Sequence, residues 1–185
     1  MKRKLPVPHL VKQKLIKNLA KEYNIRTFIE TGTYLGAMVQ AVSNEFEKIY
    51  TVELDKKLYR RAKFIFKNNR KIRVILGDSE KKLPVLINKI HSPTIFWLDA
   101  HYSRGITSKG KLESPIKAEL RCILRSKSVE YIILIDDADC FNGRGGYPLL
   151  SNLKKSVLKR NLKASFKVRN NVVIINNRKF IRIYG

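Results

Sequence analysis

No apolar run in this sequence approaches the roughly 20 residues of a membrane-spanning helix, so the chain reads as a soluble, globular protein with no membrane partner. The basic stretch 1–6 is not followed by an apolar core, so it does not read as a secretory leader. Cysteine is scarce as well. Cys122 and Cys140 stand outside any C-x-x-C spacing, which excludes a disulfide framework and a structural zinc and fits reduced thiols in a cytoplasmic setting. Also missing are a G-x-G-x-x-G dinucleotide fingerprint, an Asn/Asp-Pro-Pro-Tyr base-methylation pattern and any low-complexity tail.

Acid is the scarcest charge: 15 aspartates and glutamates face 39 lysines and arginines, a net charge of +24. Such an excess invites a polyanionic partner. An AT-rich genome, whose codons favour Lys, Ile and Asn, would produce much the same composition. The basic residues cluster in two places, with nine between Lys56 and Arg73 and ten between Lys154 and Gly185, neither stretch holding an acid. No basic-aromatic module accompanies them, so nucleic acid ranks behind a small substrate as the expected partner. At 185 residues the chain suits one domain, 1–185, burying about 70% of its unfolded surface.

The stretch Arg26-Thr-Phe-Ile-Glu-Thr-Gly-Thr-Tyr-Leu-Gly36 organises the rest. A short β-prone run stops at Glu30, turns at Gly32 and opens a helix at Gly36, the pattern of a nucleotide pocket. Its G-x-x-x-G spacing puts Tyr34 where a dinucleotide motif needs its middle glycine, which argues against a nicotinamide cofactor. Ahead of it, residues 1–24 contain an amphipathic helix with Leu15, Ile16, Leu19, Ala20 and Tyr23 on one face and Lys12, Lys14, Lys17 and Lys21 largely off it.

Further strands are expected at Ile49–Leu54, Arg73–Ser79, Thr94–His101 and Tyr131–Asp137, separated by helices near Gly36–Phe46, after Asp55, at Glu80–Ile90 and at Glu113–Lys127. In the helix after Asp55, Leu58, Ala62, Ile65 and Phe66 face inward. Residues 102–115, with Gly105 and Gly110, have the length of a lid. Pro148 begins a last helix, and Asn170-Asn171 turns a hairpin between Ser165–Arg169 and Val172–Asn176. The fold class is therefore α/β: a doubly wound, mostly parallel seven-stranded sheet with helices on both faces and a C-terminal antiparallel hairpin.

The strand ends carry the chemistry, because ligands in open α/β sheets bind at the carboxyl edge. Glu53 ends the second strand, where a carboxylate can accept from ribose hydroxyls, or it is an exposed strand-end acid. Asp78 and Ser79 could hold an adenine amino group or cap the next helix. Asp99 and His101 follow the fourth strand, and Asp136 and Asp137 the fifth. Asp99, Asp136 and Asp137 together would make an oxygen site for Mg²⁺ or a similar hard ion, unless these acids cap helices or anchor a ligand amine.

The motifs Glu30-Thr-Gly-Thr-Tyr-Leu-Gly36, Val52-Glu-Leu-Asp55, Gly77-Asp-Ser79, Trp97-Leu-Asp-Ala-His-Tyr-Ser103 and Ile135-Asp-Asp137, in this order, resemble the class I S-adenosylmethionine-dependent methyltransferases over nearly the whole chain. That resemblance implies a Rossmann-like fold with S-adenosylmethionine as cofactor. Its methionine portion would be held at Glu30, Thr31, Gly32 and Gly36, its ribose at Glu53 and Leu54, its adenine at Asp78 and Ser79, with Asp99 also in contact. The Asp99 and Asp136-Asp137 arrangement looks like the metal-dependent O-methyltransferases of the catechol and macrocin type. It implies a small hydroxylated substrate, sugar-like or from natural-product chemistry and allowed by the charge to be anionic, with a divalent metal at Asp99, Asp136 and Asp137. His101 or Asp99 would be the base. RNA methylation on the basic helix faces, or a non-catalytic nucleotide-binding module of the same fold, are the alternatives.

Overall fold

The computed structural model describes residues 7–99, 115–126, 130–144 and 146–177. Helix α1 (His9–Glu22) leads into five strands, β1 (Thr27–Thr31), β2 (Lys48–Glu53), β3 (Ile72–Leu76), β4 (Thr94–Leu98) and β5 (Tyr131–Ile135). Between them run α2 (Ala37–Val42), α3 (Lys56–Ile65), α4 (Ser79–Ile87) and α5 (Ile116–Arg125). After β5 come a 3-10 turn (Ala138–Cys140), α6 (Leu150–Arg160) and the hairpin of β6 (Ser165–Arg169) and β7 (Val172–Asn176).

The sheet order is β3-β2-β1-β4-β5-β7-β6. The first five strands are parallel, and β7 runs antiparallel to both β5 and β6. Every residue of β1, β4 and β5 is buried, as expected of central strands covered on both faces. Alternation along each strand then divides the core. Phe28, Ile95, Trp97, Ile132 and Leu134 pack with Ile16 and Ala20 of α1, Val39 of α2 and Ala62 of α3. Ile29, Phe96, Leu98 and Ile133 pack on the other face with Leu83 of α4, Leu120 of α5 and Leu153 of α6. Each such apolar side chain contributes about 1.5–3 kcal/mol on burial.

Several expected boundaries move for local reasons. The helix after Gly36 ends at Val42, and Phe46 reaches the core from the following turn, stacked 5.1 Å from Phe28. β3 stops at Leu76 because Gly77 turns at φ +142° and Asp78 caps α4, accepting from the Glu80 N–H at 3.0 Å. α6 starts at Leu150 rather than at Pro148, after Leu149 pairs with Asn142 in an isolated bridge. The hairpin lies where the sequence places it, with Asn170 and Asn171 both left-handed at φ +52° and +58°. Ile65, expected inside, is 42% exposed on α3. Among the described residues no helix is long and apolar enough to cross a membrane.

Candidate functional site

The strand order reverses between β1 and β4, so the carboxyl ends of β2, β1, β4 and β5 meet where the switch point opens. Thr31 takes the Asp99 N–H on its carbonyl at 3.3 Å, and Leu98 takes that of Asp136 at 3.1 Å. Asp99 thus sits directly beside the β1 turn and Asp136 beside the end of β4. The turn itself has left-handed backbone at Gly32, Tyr34 and Gly36, with φ +88°, +49° and +80°. A Cβ on Gly32 would lie 2.8 Å from the Asp99 carbonyl oxygen, and one on Gly36 would lie 2.9 Å from the Phe66 ring. These glycines therefore let β4 and α3 approach the turn. Gly32→Ala should lose about 2–3 kcal/mol, seen as a melting temperature lower by roughly 5–10 °C, because the opposing atom is backbone and cannot swing away. A variant melting within 1 °C of the parent would contradict this packing.

Glu30 is 2% exposed. Its Oε2 accepts the Thr51 hydroxyl at 2.6 Å, and Thr33 Oγ1 lies 2.6 Å from Thr51 Oγ1, so two hydroxyls back the carboxyl. Burial pushes Glu30 up to about 8; the Thr51 hydrogen bond opposes that, and the charges of Asp99 and Glu53 add to it. Glu53 is 6% exposed, which removes the reading of an exposed strand-end acid. Its Oε2 takes the Tyr34 N–H at 2.8 Å and its Oε1 the Asp55 N–H at 2.9 Å. An ionised carboxylate has about four acceptor positions, so this clamp between the turn and β2 leaves capacity for ligand hydroxyls. Leu54 beside it is 54% exposed, and Asp78 and Ser79 begin α4.

One buried carboxyl beside these positions is absent from the sequence-based set. Glu119 of α5 is 1% exposed, and its Oε2 and the nearby Thr31 Oγ1 have no hydrogen-bond partner. Burial raises Glu119 to about 7, while the Ser79 and Thr31 hydroxyls beside it pull the other way and Glu80 and Asp78 push it further up. It therefore lies between Thr31 at the end of β1 and Ser79 at the start of α4. The signal was its spacing: Glu119 is three residues after Ile116 and four before Ile123, on the buried face of the helix.

The acids after β5 behave differently from the expectation of an open metal site. Lys12 is only 8% exposed, contrary to its expected place off the buried face of α1. Its Nζ lies 2.6 Å from Asp136 Oδ1, 2.7 Å from Oδ2 and 3.5 Å from Asp137 Oδ1. Asp136 Oδ1 also takes the Asp137 N–H at 2.8 Å, and Asn171 Nδ2 donates to Asp137 Oδ1 at 3.3 Å from the hairpin turn. Burial works against charge on Lys12, but the hydrogen bond it donates to Asp136 and the negative charge of that carboxylate, with Asp137 behind it, raise its pKa overall. Burial pushes Asp136 up by more than Lys12 draws it down. At a 2.6 Å separation the ion pair is the species expected at neutral pH. The donor set does not fit a divalent ion: a lysine ammonium already occupies the two carboxylates. Among the described residues no group of three or more His, Cys, Asp or Glu could hold a metal. His101 and the expected lid, apart from Pro115, lie outside the described residues.

No protein-family model and no curated protein sequence matches the chain. Solved structures do. The SAH-bound methyltransferase PaMTH1 of Podospora anserina superposes with a TM-score of 0.65 at 15% identity, over 90% of this chain and 77% of its own. An O-methyltransferase from Bacillus cereus in complex with SAH gives 0.65 at 14%, over 91% and 83%. The 23S rRNA methyltransferase ErmE gives 0.59 at 13%, over 98% and 73%. The fold of this chain is thus the one these methyltransferases share.

Proposed function

We propose that the chain is an S-adenosylmethionine-dependent methyltransferase acting on a hydroxyl of a small acceptor. One observation carries the reading. In a protein of net charge +24, Glu30, Glu53 and Asp99 gather at the ends of three adjacent strands. Among the described residues no lysine or arginine pairs with Glu30 or Glu53. Such an edge complements a ligand bearing an ammonium and a sulfonium and opposes a pyrophosphate. The fold shared with SAH-bound structures supports the same ligand.

When bound, S-adenosylmethionine supplies an electrophilic methyl group. Glu30 would face its amino group, Glu53 its ribose hydroxyls, and Asp78 and Ser79 its adenine. Asp99, beside the β1 turn, or His101 would take the hydroxyl proton. No step is assigned to a divalent metal, because Lys12 already meets Asp136 and Asp137. The Lys12 latch instead ties α1 to this edge of the sheet. A small acceptor, sugar-like or from natural-product chemistry, is the preferred substrate, and an anionic one suits the protein's charge.

Calorimetric titration tests the assignment. S-adenosylmethionine and its demethylated product should bind, stabilising the fold by about 2.7 kcal/mol at a hundredfold excess over Kd, and NAD should not. Glu53→Gln, which keeps one acceptor oxygen, should weaken that binding about tenfold. Binding of NAD in place of S-adenosylmethionine, or an unchanged affinity in the Glu53 variant, would sink the pocket assignment.

A further inference from the structure

The open edge of the sheet at β3 carries a groove of about 800 Å³, apart from the carboxylate-lined turns. Lys63, Lys67 and Arg70, from α3 and the segment after it, Arg73 of β3, Lys82 of α4 and Lys89 just beyond that helix line it, and no carboxylate does. The chain crosses from β2 to β3 through α3 and from β3 back to β4 through α4, so the cations stand on both sides of the edge strand. Beside them on α3, Phe64 is 70% exposed with Lys67 Nζ 4.5 Å from its ring centroid.

We propose that this groove binds single-stranded nucleic acid. A single phosphate group would engage two or three of these side chains; six along one trough suit a chain of phosphates. A membrane surface is flat and would leave the concave wall unused. The exposed aromatic ring among cations is the arrangement on which unpaired bases stack, at about 1–3 kcal/mol per base. Lysine on an edge strand also discourages pairing with another sheet, but that purpose needs only the strand itself to be charged, and five of the six cations lie off β3. The inference stands apart from methyl transfer and is read by binding alone.

The test is fluorescence anisotropy of a labelled 12-nucleotide single-stranded RNA between 50 and 200 mM NaCl. If the six cations each neutralise a phosphate, log K should fall with log salt at a slope of about −4, a loss on the order of 300-fold over that range. Lys67→Gln/Arg70→Gln/Lys89→Gln should bring the slope to about −2. Lys63→Gln/Arg73→Gln, independent of that triple, should also flatten it. The control Lys154→Gln/Lys155→Gln/Lys159→Gln on exposed positions of α6 should leave slope and affinity unchanged. Equal losses in the groove and control variants would mean diffuse attraction to a basic protein and overturn the site. So would undetectable RNA binding, or groove-dependent binding to phosphatidylserine vesicles without binding to RNA.

Discussion

Lys12→Met should lower the melting temperature by roughly 10 °C, because removing one partner of a buried ion pair costs about 3–5 kcal/mol and a chain of this size loses about 2–4 °C per kcal/mol. The Lys12 and Asp136 side chains are 10% and 7% exposed, so water makes up little of the lost ammonium's interaction. The stranded Asp136 and Asp137 must then take up protons, repel each other or draw in another cation. The double variant Lys12→Met/Asp136→Asn should recover part of the loss, since it removes the orphaned charge with its partner. The parent protein should melt at the same temperature in Mg²⁺ and in EDTA. Lys12→Met alone should gain stability from Mg²⁺, which reaches carboxylates the lysine has left. A parent protein stabilised by Mg²⁺, with the effect lost in Asp136→Asn, would restore the metal-assisted reading. An unchanged melting temperature in Lys12→Met would remove the latch.

The second large effect is a proton released on binding of the proposed ligand, S-adenosylmethionine. Glu30 lies at about 8 in the folded protein against an ordinary value of 4.5, so between these pH values the folded state holds a proton that the unfolded state has lost. Stability therefore falls as pH rises from about 4.5 to about 8, by about 1.4 kcal/mol per unit for this group. Glu30→Gln should flatten that slope and be the more stable protein at pH 8. A ligand ammonium beside Glu30 favours the ionised acid, so at pH 7 binding should release up to one proton and tighten by up to about tenfold per pH unit until Glu30 ionises unaided. Calorimetry at pH 7 in two buffers of different ionisation enthalpy measures the release directly. Glu30→Gln should bind more weakly and show less buffer dependence, and the difference separates Glu30 from Glu119, which lies at about 7. Identical heats in both buffers for the parent protein would contradict this placement of the ligand.

Both predictions turn on groups whose behaviour is set by neighbours far away in the chain. Asp136 is 124 residues from Lys12, and Thr51 is 21 residues from Glu30. The strands at the centre of the sheet were legible in the sequence because their apolar runs are short and continuous. The turn at Gly32, Tyr34 and Gly36, and the paired asparagines of the hairpin, were legible because positive φ restricts residue choice. From strands alternating with helices follows a parallel sheet whose carboxyl ends share one edge, and so the placement of Glu30, Glu53 and Asp99 together. Local pattern determined that much.

What it could not determine was the state of the charges. Lys12 looked like a solvent-facing lysine, although its spacing of four and eight residues from Ile16 and Ala20 puts it on their buried line. Only the docking of α1 against the end of β5 brings it to Asp136, turning two of the three candidate metal ligands into partners of a lysine. Glu119 likewise reads as a polar interruption in α5 until that helix packs against α4 and closes over its carboxyl. Asp78 kept both of its readings in the sequence, and its observed partner is the Glu80 N–H of the helix it caps. Secondary structure and the carboxylate-bearing edge follow from short-range steric and apolar patterning. Ionisation, pairing and the basic groove follow from desolvation and Coulomb energies, which depend on separations that exist only after the chain has folded.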